Sequence, residues 1–501
     1  MGEPSQMQFS EGVTKNHRVY IEFGLEYART FKNHNITALL LYNQSKYYDP
    51  DLEFLIPNGY QGIVGRITYN FKSRYLAEFN IGYNGTENFA PGKRFGVFPA
   101  YSLGWVVTEE SFFPRNQYLT FMKIRGSYGV VGNDKIGGDR FLYRPTSYSY
   151  GGKYHWGEDG STYQAYQGAY EGKLGNPDLT WEKNYALNLG VDLSLFRRVN
   201  LTFDWYTRTT KDLLMSKQLN SISGFGSILT NVGEMKNTGF EIEVRSSNIQ
   251  TKDFSWTTSL NLSHNKNKIV KLADLPEFID GNYIRKEGCS YATIYLREYA
   301  GVDPNDGRPM YYDNKEDENG NRSRNIVYDP NDADRVELKD IYPKLTGGLM
   351  NTFNYKFIDL SFNLSFHLGG YSYDGAMYAL QDDGYTAQYN KSTELRRRWK
   401  QPGDITDVPR YVYGQEYGGW WNSSRGIHST DHLRLKSLIV GVSAPQSWLR
   451  TIGINSARIY FSGTNLLTWA AYDQYDPELN GIVSYFTPPL KTFAFGLELK
   501  F

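Results

Sequence analysis

The stretch that decides the fold is residues 491–501, which read KTFAFGLELKF. From Phe493 to Phe501 every second residue is large and apolar, whereas the positions between them are polar or small. Successive side chains of a β-strand point to opposite faces, so a period of two indicates a strand rather than a helix. The stretch therefore predicts a strand with one apolar face and one polar face.

The same alternation recurs along the whole chain, and no stretch has a convincing helical period. The apolar positions of five further predicted strands are Val19, Ile21, Phe23, Leu25 and Tyr27; Ile63, Ile67, Tyr69 and Phe71; Tyr75, Ala77, Phe79, Ile81 and Tyr83; Trp181, Tyr185, Leu187, Leu189, Val191, Leu193 and Leu195; and Ile358, Leu360, Phe362, Leu364, Phe366 and Leu368. The pattern predicts about fifteen antiparallel strands in an all-β chain.

The connections between these strands alternate between short and long. Short turns are expected near 31–35, 72–74, 108–117, 196–200, 246–253, 356–358 and 444–456. Long links are expected near 46–59, 86–95, 131–178, 214–228, 266–343, 369–428 and 470–488. Strict alternation along antiparallel strands puts every long loop at the same end of the strands.

The composition excludes several classes of protein. Lys and Arg total 54 and Asp and Glu also total 54, so the chain lacks the basic excess of a nucleic-acid-binding protein. No apolar run approaches the roughly 18 residues of a membrane helix. The single cysteine, Cys289, cannot form an internal disulfide. The N-terminal residues lack the basic region and apolar core of a signal peptide. A membrane barrel made of strands is compatible with all of these observations.

A soluble β-sandwich also alternates, and three features favour a membrane barrel over it. Strands of ten or more residues, at about 3.3 Å per residue, are long enough for the roughly 25 Å apolar band of an outer-membrane barrel. Tyr and Trp concentrate near the strand ends, where an interfacial girdle requires them. A sandwich has no reason to place all its long loops at one end.

Several motifs resemble the barrel of SusC/RagA-type TonB-dependent outer-membrane transporters. They run in family order from about residue 60 to the end of the chain, and as a set they are specific. They are Arg74-Tyr75-Leu76, Arg94-Phe95-Gly96-Val97-Phe98-Pro99, Gly104-Trp105, Thr108-Glu109-Glu110, Lys123-Ile124-Arg125-Gly126-Ser127-Tyr128-Gly129, Gly132-Asn133, Asn176-Pro177-Asp178-Leu179-Thr180-Trp181-Glu182, Asn237-Thr238-Gly239-Phe240-Glu241, Tyr299-Ala300-Gly301-Val302-Asp303-Pro304 and Tyr342-Pro343-Lys344-Leu345-Thr346-Gly347-Gly348.

The resemblance implies a transmembrane antiparallel β-barrel segment, with about 15 of an expected 22 strands. Family members also carry a signal peptide, a TonB box and a plug domain, none of which is recognisable here. Residues 1–501 are therefore expected to be the C-terminal portion of a receptor barrel, a fragment or a truncated gene product, in the outer membrane of a Gram-negative bacterium.

The resemblance also implies a function and partners. These are uptake of oligosaccharides or peptides, a SusD-like surface lipoprotein acting as a lid, outer-membrane lipid around the barrel, and energy from the TonB complex through the missing plug region. No enzymatic activity, cofactor or nucleic-acid partner is expected. The alternative is a secreted or surface all-β glycan-binding protein without a transport role.

Aromatic residues crowd two of the long loops and are candidate ligand or lid contacts. Flat rings with a polar tip suit stacking on sugars or gripping a peptide. The alternative is that the loops pack on themselves. The candidates are Tyr154, Trp156, Tyr166, Tyr373, Tyr385, Tyr417, Trp420 and Trp421.

Metal sites and catalytic motifs are weakly indicated. His428 and His432 are spaced i, i+4, but they precede a predicted strand, where that spacing separates residues by about 13 Å. Acidic clusters at 303–307, 313–320 and 329–334 could hold Ca²⁺, although none completes a calcium-loop pattern, and such residues are also typical of turns. No nucleophile elbow, phosphate-binding loop or dinucleotide fingerprint is present.

Two further expectations concern the strands themselves. Charged residues on the polar phase should face the barrel interior, because a charge facing lipid is costly; they are Arg66, Glu78, Arg125, Asp192, Asp204, Glu241 and Glu243. The alternation that ends in a terminal aromatic also resembles the signal read by the outer-membrane assembly machinery; its residues are Phe493, Phe495, Leu497, Leu499 and Phe501. The alternative is an ordinary edge strand.

Overall fold

The protein is described here by a computed structural model. The structure describes residues 11–48, 56–114, 116–135, 140–145, 148–156, 164–172, 174–273, 275–376, 380–381, 390–413, 422–449, 453–479, 481–483 and 487–501.

Strands dominate the described residues. They are β1 His17–Phe31, β2 His34–Tyr48, β3 Asn58–Phe71, β4 Tyr75–Thr86, β5 Phe95–Val106, β6 Leu119–Asn133, β7 Tyr148–Trp156, β8 Gln164–Glu171, β9 Glu182–Leu195, β10 Val199–Gln218, β11 Ser227–Gln250, β12 Phe254–Lys271, β13 Glu277–Asp280, β14 Tyr283–Lys286, β15 Thr293–Arg297, β16 Tyr299–Val302, β17 Pro309–Tyr312, β18 Ile326–Val327, β19 Arg335–Asp340, β20 Leu345–Tyr355, β21 Ile358–Leu368, β22 Tyr371–Asp374, β23 Ile427–Ser429, β24 His432–Ser443, β25 Ser456–Ala470, β26 Gly481–Val483 and β27 Thr492–Lys500.

Helical structure in the described ranges is short. One α-helix, α1, covers Gln446–Leu449, and single 3-10 turns cover Val107–Glu109, Ser221–Ser223, Pro330–Asp332, Thr393–Arg397 and Ser424–Gly426. Across the described part of the chain, no helix has both the length and the apolar character needed to cross a membrane.

Fifteen strands form one large sheet, which confirms the number predicted from the alternation. Their order is β1-β2-β3-β4-β5-β6-β9-β10-β11-β12-β20-β21-β24-β25-β27. The remaining strands form small sheets in the long loops, with the orders β13-β14-β15-β19, β16-β17-β18, β23-β22-β26 and β7-β8.

The chain divides into two compact units. Unit 1 comprises Met1–Phe113, Lys123–Leu189 and Arg208–Met235. Within it, β1 to β5 pair with their sequence neighbours in continuous antiparallel register, from His17 opposite Tyr48 to Gly85 opposite Phe95. Tight turns join β1 to β2 and β3 to β4, whereas longer segments join β2 to β3 and β4 to β5.

Unit 2 comprises Pro114–Met122, Gly190–Thr207 and Lys236–Phe501. Antiparallel pairing runs from β12 through β20, β21, β24 and β25 to β27. Short turns again alternate with long links, and these long links contain the loop sheets and their buried residues.

A β-bulge in β24 explains why its sequence departs from simple alternation. Leu435 lies opposite Leu364 of β21, but Ser437 lies opposite Asn363, so Lys436 is an extra residue. A bulge re-aims side chains and shifts the phase of the strand. The apolar phase therefore moves from odd to even positions beyond Lys436, and the adjoining polar residues stay on the polar face.

The apolar phase of the strands is exposed. Phe23 and Leu103 are each 68% exposed and Phe495 is 81% exposed. Large apolar surfaces of this extent are rare on soluble monomers, because contact with water is unfavourable. The faces therefore require an apolar surrounding, as a membrane barrel predicts.

Most of the charges predicted for the polar phase lie on it. In unit 1, Arg66 lies opposite Asn80, and Glu78 lies opposite Ser102, on the face away from the exposed side chain of Ile67. Arg125 lines a depression on the same face as Glu78. In unit 2, the residues Asp204, Glu241 and Glu243 line a depression with Asn261 and Ser263. For Asp192 the expectation remains a prediction.

We predict that Ile67→Arg destabilises the folded barrel by up to about 2–4 kcal/mol, the cost of an Arg facing the middle of a bilayer. Thr68→Arg is the matched control, because Thr68 lies next to Ile67 and opposite Glu78 on the polar face. Urea unfolding of the full-length protein in lipid vesicles measures the free energy of unfolding of the two variants. Equal destabilisation by the two substitutions would contradict the assignment of the faces.

Candidate functional site

Three of the family-like motifs of unit 1, at residues 94–99, 132–133 and 176–182, meet at a buried cluster in its long loops. We call this cluster the loop core; it consists of Phe89, Phe98, Leu142, Leu179 and Trp181, with Val130, Leu214 and Leu229 packed against it. The ring of Trp181 lies edge-on to Phe98, with centroids 5.2 Å apart, and 5.7 Å from the ring of Phe89. Three separate loop segments are thereby packed against β5.

Two glycines make room for the ring of Phe98. A Cβ atom on Gly96 would lie 2.3 Å from this ring, and one on Gly132 would lie 2.1 Å from it. Neither distance is compatible with a side chain unless the ring moves. The glycines of two motifs are therefore explained by packing, which a reading of each motif alone could not show.

Hydrogen bonds fix the loop core to the neighbouring backbone. Trp181 Nε1 donates to the carbonyl oxygen of Arg94 at 3.0 Å, and Arg94 Nε donates to the carbonyl oxygen of Phe89 at 3.2 Å. Asn176 Nδ2 donates to the carbonyl oxygen of Leu229 at 2.8 Å. Buried polar groups are costly unless they are paired, so these contacts favour one loop arrangement.

Two further side chains, those of Asn231 and Glu182, make hydrogen bonds around the start of β9. Asn231 Oδ1 accepts from the amide of Thr180 at 2.9 Å, and Asn231 Nδ2 donates to the carbonyl oxygen of the same residue at 2.8 Å. Glu182 accepts from Asn133 Nδ2 at 2.8 Å and from the amide of Leu214 at 3.0 Å. The motif from Asn176 to Glu182 thus anchors a loop, and its residues are engaged with the protein itself.

Arg140 joins three loops of unit 1. Its guanidinium donates to the carbonyl oxygens of Ile56 and Pro57, at 2.6 and 3.2 Å, and to Glu87 Oε1 at 2.9 Å. The Arg140 side chain is largely buried. A buried charge needs such a set of acceptors, so Arg140 is a positioning residue for these loops.

The acidic clusters of unit 2 cap turns of their own loops. Asp303 Oδ1 accepts from the amide of Asn305 at 2.8 Å, Asp317 Oδ1 accepts from the amide of Asn319 at 2.9 Å, and Asp329 Oδ1 accepts from the amide of Asn331 at 2.8 Å. These are Asx turns. Within the described ranges, no group of three or more His, Cys, Asp or Glu side chains is placed to hold a metal ion. The turn interpretation accounts for the acidic clusters.

One acidic residue in this loop region has a strongly altered pKa. Burial of Glu337 would raise its pKa, but ion pairs with Lys286 Nζ at 2.8 Å and Arg322 Nη2 at 2.9 Å outweigh burial and hold it at about 2. Both partners lie in the same long loop, so the group is a structural ion-pair network.

Tyr373, one of the predicted ligand contacts, lies inside a second loop cluster. It is buried in β22 with Ile294 and Leu296 of β15. Its ring supports the packing of the loops on themselves, which was the alternative to ligand contact. Burial raises the pKa of Tyr373 well above its usual value.

His428 and His432 belong to different strands and have different neighbours. The ring of His428 in β23 stacks on Tyr472, with centroids 3.7 Å apart, whereas the ring of His432 in β24 lies beside that of His367. Burial lowers the pKa of His428 to about 4. The i, i+4 spacing therefore does not create a common metal site.

The aromatic loop between β6 and β9 contains the two-stranded hairpin β7–β8. Tyr154 of β7 lies opposite Tyr166 of β8, and Trp156 lies opposite Gln164. Tyr150, Tyr166 and Tyr170 are exposed on this hairpin. The remaining predicted contacts, Tyr385, Tyr417, Trp420 and Trp421, lie outside the described residues.

The polar face of each unit contains a depression. In unit 1 a depression of about 440 Å³ is lined by Thr68, Glu78, Ser102, Lys123 and Arg125, among others. In unit 2 a depression of about 450 Å³ is lined by Asp204, Glu241, Glu243, Asn261 and His367, among others. The polar faces are thus charged and hydrogen-bonding, in contrast to the apolar faces.

Comparison with known proteins identifies the family. The family described as "TonB dependent receptor-like, beta-barrel" matches residues 5–286, which is more than half of the chain. The chain belongs to the TonB-dependent receptor β-barrel family. It is therefore an outer-membrane protein of the β-barrel type, as the motifs and the exposed apolar faces predicted, and the family consists of receptors and transporters rather than enzymes.

Individual relatives agree with this assignment. The chain is 31% identical over 479 residues to TonB-dependent receptor P3 of Formosa agariphila. That alignment covers 88% of this chain and 45% of the relative. It is 29% identical over 452 residues to TonB-dependent receptor SusC of Bacteroides thetaiotaomicron. That alignment covers 87% of this chain and 43% of the relative.

A solved structure shares the fold. The structure of the RagAB peptide transporter matches with a TM-score of 0.81 and 25% identity, covering 97% of this chain and 56% of that chain. The chain spans less than half the length of the two curated receptors, P3 and SusC, to which it is similar. The match favours a membrane receptor over the secreted glycan-binding alternative.

We predict that Trp181→Ala destabilises the loop core by about 3–5 kcal/mol, the usual cost of removing a buried Trp. Trp181→Phe should cost less, because it keeps an apolar ring and loses mainly the hydrogen bond to Arg94. Limited proteolysis measures the stability of the loops in each variant. Heat-modifiable migration of the full-length protein measures whether the barrel is still folded. Loss of the whole barrel in Trp181→Phe would contradict a role confined to the loops.

Proposed function

We propose that the chain forms the C-terminal barrel portion of an outer-membrane nutrient importer, whose plug, TonB box and remaining strands lie elsewhere in a longer protein. The observation that carries this proposal is the 97% coverage of the chain by the RagAB match, at a TM-score of 0.81. The exposed apolar faces and the loop anchors of unit 1 support it, since both suit a membrane wall bearing ordered loops.

The proposed partners are a SusD-like surface lipoprotein, which acts as a lid, and the TonB complex, which acts through the plug. The similarity to TonB-dependent receptor SusC and to the RagAB peptide transporter supports TonB-dependent transport. The proposed substrates are peptides or oligosaccharides. The exposed rings of the β7–β8 hairpin suit either class, because a tyrosine ring stacks on sugars and also packs against peptide side chains.

Uptake by the native host tests this function. The gene for the full-length protein is deleted, and growth is measured on peptide mixtures and on oligosaccharides as sole nutrients. The expected result is loss of growth on one of the two nutrient classes. The intact gene should restore that growth in the deletion strain, but it should fail to do so in a deletion strain that also lacks TonB. Unchanged growth on both classes, with normal outer-membrane assembly of the protein, would contradict the proposal.

We predict that the paired change Tyr166→Ala and Tyr170→Ala weakens ligand or lid capture about tenfold or more, since two exposed aromatic anchors are lost. The same result is expected for Trp420→Ala with Trp421→Ala. Pull-down of the lipoprotein and ligand by full-length protein measures the effect. Tyr373→Ala is the control for packing, because its ring is buried and its loss should lower loop stability. A fall in folded barrel yield with the exposed pair would favour the packing alternative.

We predict that deletion of Phe501 slows outer-membrane assembly of the full-length protein. The apolar phase of β27, from Phe493 to Leu499, and the terminal Phe501 are exposed, which supports this role. Lys500→Ala is the control, because it changes the same end of the strand on the polar phase. Heat-modifiable migration reports assembly. Unchanged migration after deletion would leave β27 with a structural role only.

A further inference from the structure

A depression of about 560 Å³ lies in unit 1, at the end of β1 to β5 that is away from the tight turns. We call it the rim pocket. Side chains that pair directly across neighbouring antiparallel strands point to the same face of a sheet. By this register, most of the lining belongs to the apolar face that carries Phe23. These lining residues are Val19 and Ile21 of β1, Gln44 and Lys46 of β2, Gly59 and Gln61 of β3, and Phe95 of β5.

The rim pocket begins one row beyond an apolar and aromatic level of this face. That next row toward the tight turns consists of Phe23, Tyr42, Ile63, Tyr83 and Val97. Tyrosine is enriched where a bilayer meets water, and the long loops of outer-membrane barrels lie on the cell surface. The rim pocket is therefore at the level where the hydrocarbon of the outer leaflet ends and its lipid headgroups begin.

Three nitrogen donors interrupt the apolar face at this level. Tyr42 Oη donates to Gln44 Oε1 at 2.7 Å, so the amide nitrogen of Gln44 remains available as a donor. Gln61 lies directly opposite Gln44, where Cβ atoms are about 5 Å apart, and Lys46 lies two residues along β2, about 7 Å away. Long side chains at these spacings can contact the oxygen atoms of one phosphate group.

Gly59, directly opposite Lys46, leaves the space beside these donors open. A Cβ atom on Gly59 would lie 3.7 Å from Glu87 Oε2, which is an ordinary contact. The position therefore has room for a side chain, and its absence adds volume to the pocket.

The lining has an excess of positive charge. Among its described residues, Glu87 is the single carboxylate, and its Oε1 is already paired with Arg140 Nη2 at 2.9 Å. Lys46 and Arg94 supply two cations, and neither forms an ion pair with another described residue. The rim pocket therefore combines a positive charge, amide donors and a neighbouring apolar surface.

We propose that the rim pocket binds the phosphate headgroup of an outer-leaflet lipid. Lys46 contacts the phosphate as a point charge, and the two glutamine amides donate hydrogen bonds to its oxygens. The acyl chains of the same lipid lie along the exposed side chains of Phe23 and Ile63. A soluble anion would use the donors alone, whereas a phosphorylated lipid also covers the apolar row beside them.

Native mass spectrometry of the full-length protein in a neutral detergent tests this proposal. The probes are diphosphoryl lipid A and the same lipid after removal of its phosphates. We expect the phosphorylated lipid to bind about tenfold more tightly, a size in keeping with hydrogen bonds to a charged group. Millimolar inorganic phosphate should not displace it. Equal binding of the two lipids, or full displacement by inorganic phosphate, would overturn the proposal.

Two substitutions separate the charge of the pocket from its volume. Lys46→Gln should weaken binding of the phosphorylated lipid about tenfold and leave binding of the dephosphorylated lipid unchanged. Gly59→Val should weaken binding of the phosphorylated lipid while Lys46 stays in place, because its side chain occupies the pocket. Heat-modifiable migration checks that each variant is folded. Unchanged binding of the phosphorylated lipid by folded Lys46→Gln would contradict the proposed site.

Lys32→Gln is the matched control for loss of one positive charge. Lys32 is exposed in the tight turn between β1 and β2, at the opposite end of the same strands from Lys46. The variant should bind the phosphorylated lipid as the unmodified protein does. A loss as large as that of Lys46→Gln would show that net charge, and not the rim pocket, determines lipid binding.

Discussion

Backbone pairing in an apolar surrounding is the constraint on which the rest of the structure depends. In hydrocarbon, an unpaired backbone amide or carbonyl group costs several kcal/mol. Strands therefore cross a membrane only as members of a hydrogen-bonded ladder. Unit 1 meets this requirement from β1 to β6, and unit 2 meets it from β12 to β27. Because the ladder uses the backbone, the side chains are free to divide into an apolar face and a polar face.

The loops are ordered by a different means from the strands. The large sheet contributes little buried core, whereas the long loops contain buried clusters, small sheets and paired charges. Each anchor pairs buried polar groups that would be costly alone, such as Arg140 with Glu87 and Arg434 with Asp476. Such pairs define one loop arrangement and also make it sensitive to the loss of one partner.

The sequence alone determined the strand count, the two faces, most of the charges on the polar face and the family, because strand alternation is a local property with a fixed period of two. It also indicated the long loops and their aromatic residues. Only the tertiary structure decided which rings are buried, as for Tyr373, and which are exposed, as for Tyr166. The bulge at Lys436, the clamp of Arg140 on Glu87, 53 residues away, and the contact of Arg434 with Asp476, 42 residues away, were likewise hidden. Such contacts depend on which distant segments the ladder brings together, and no local pattern records that.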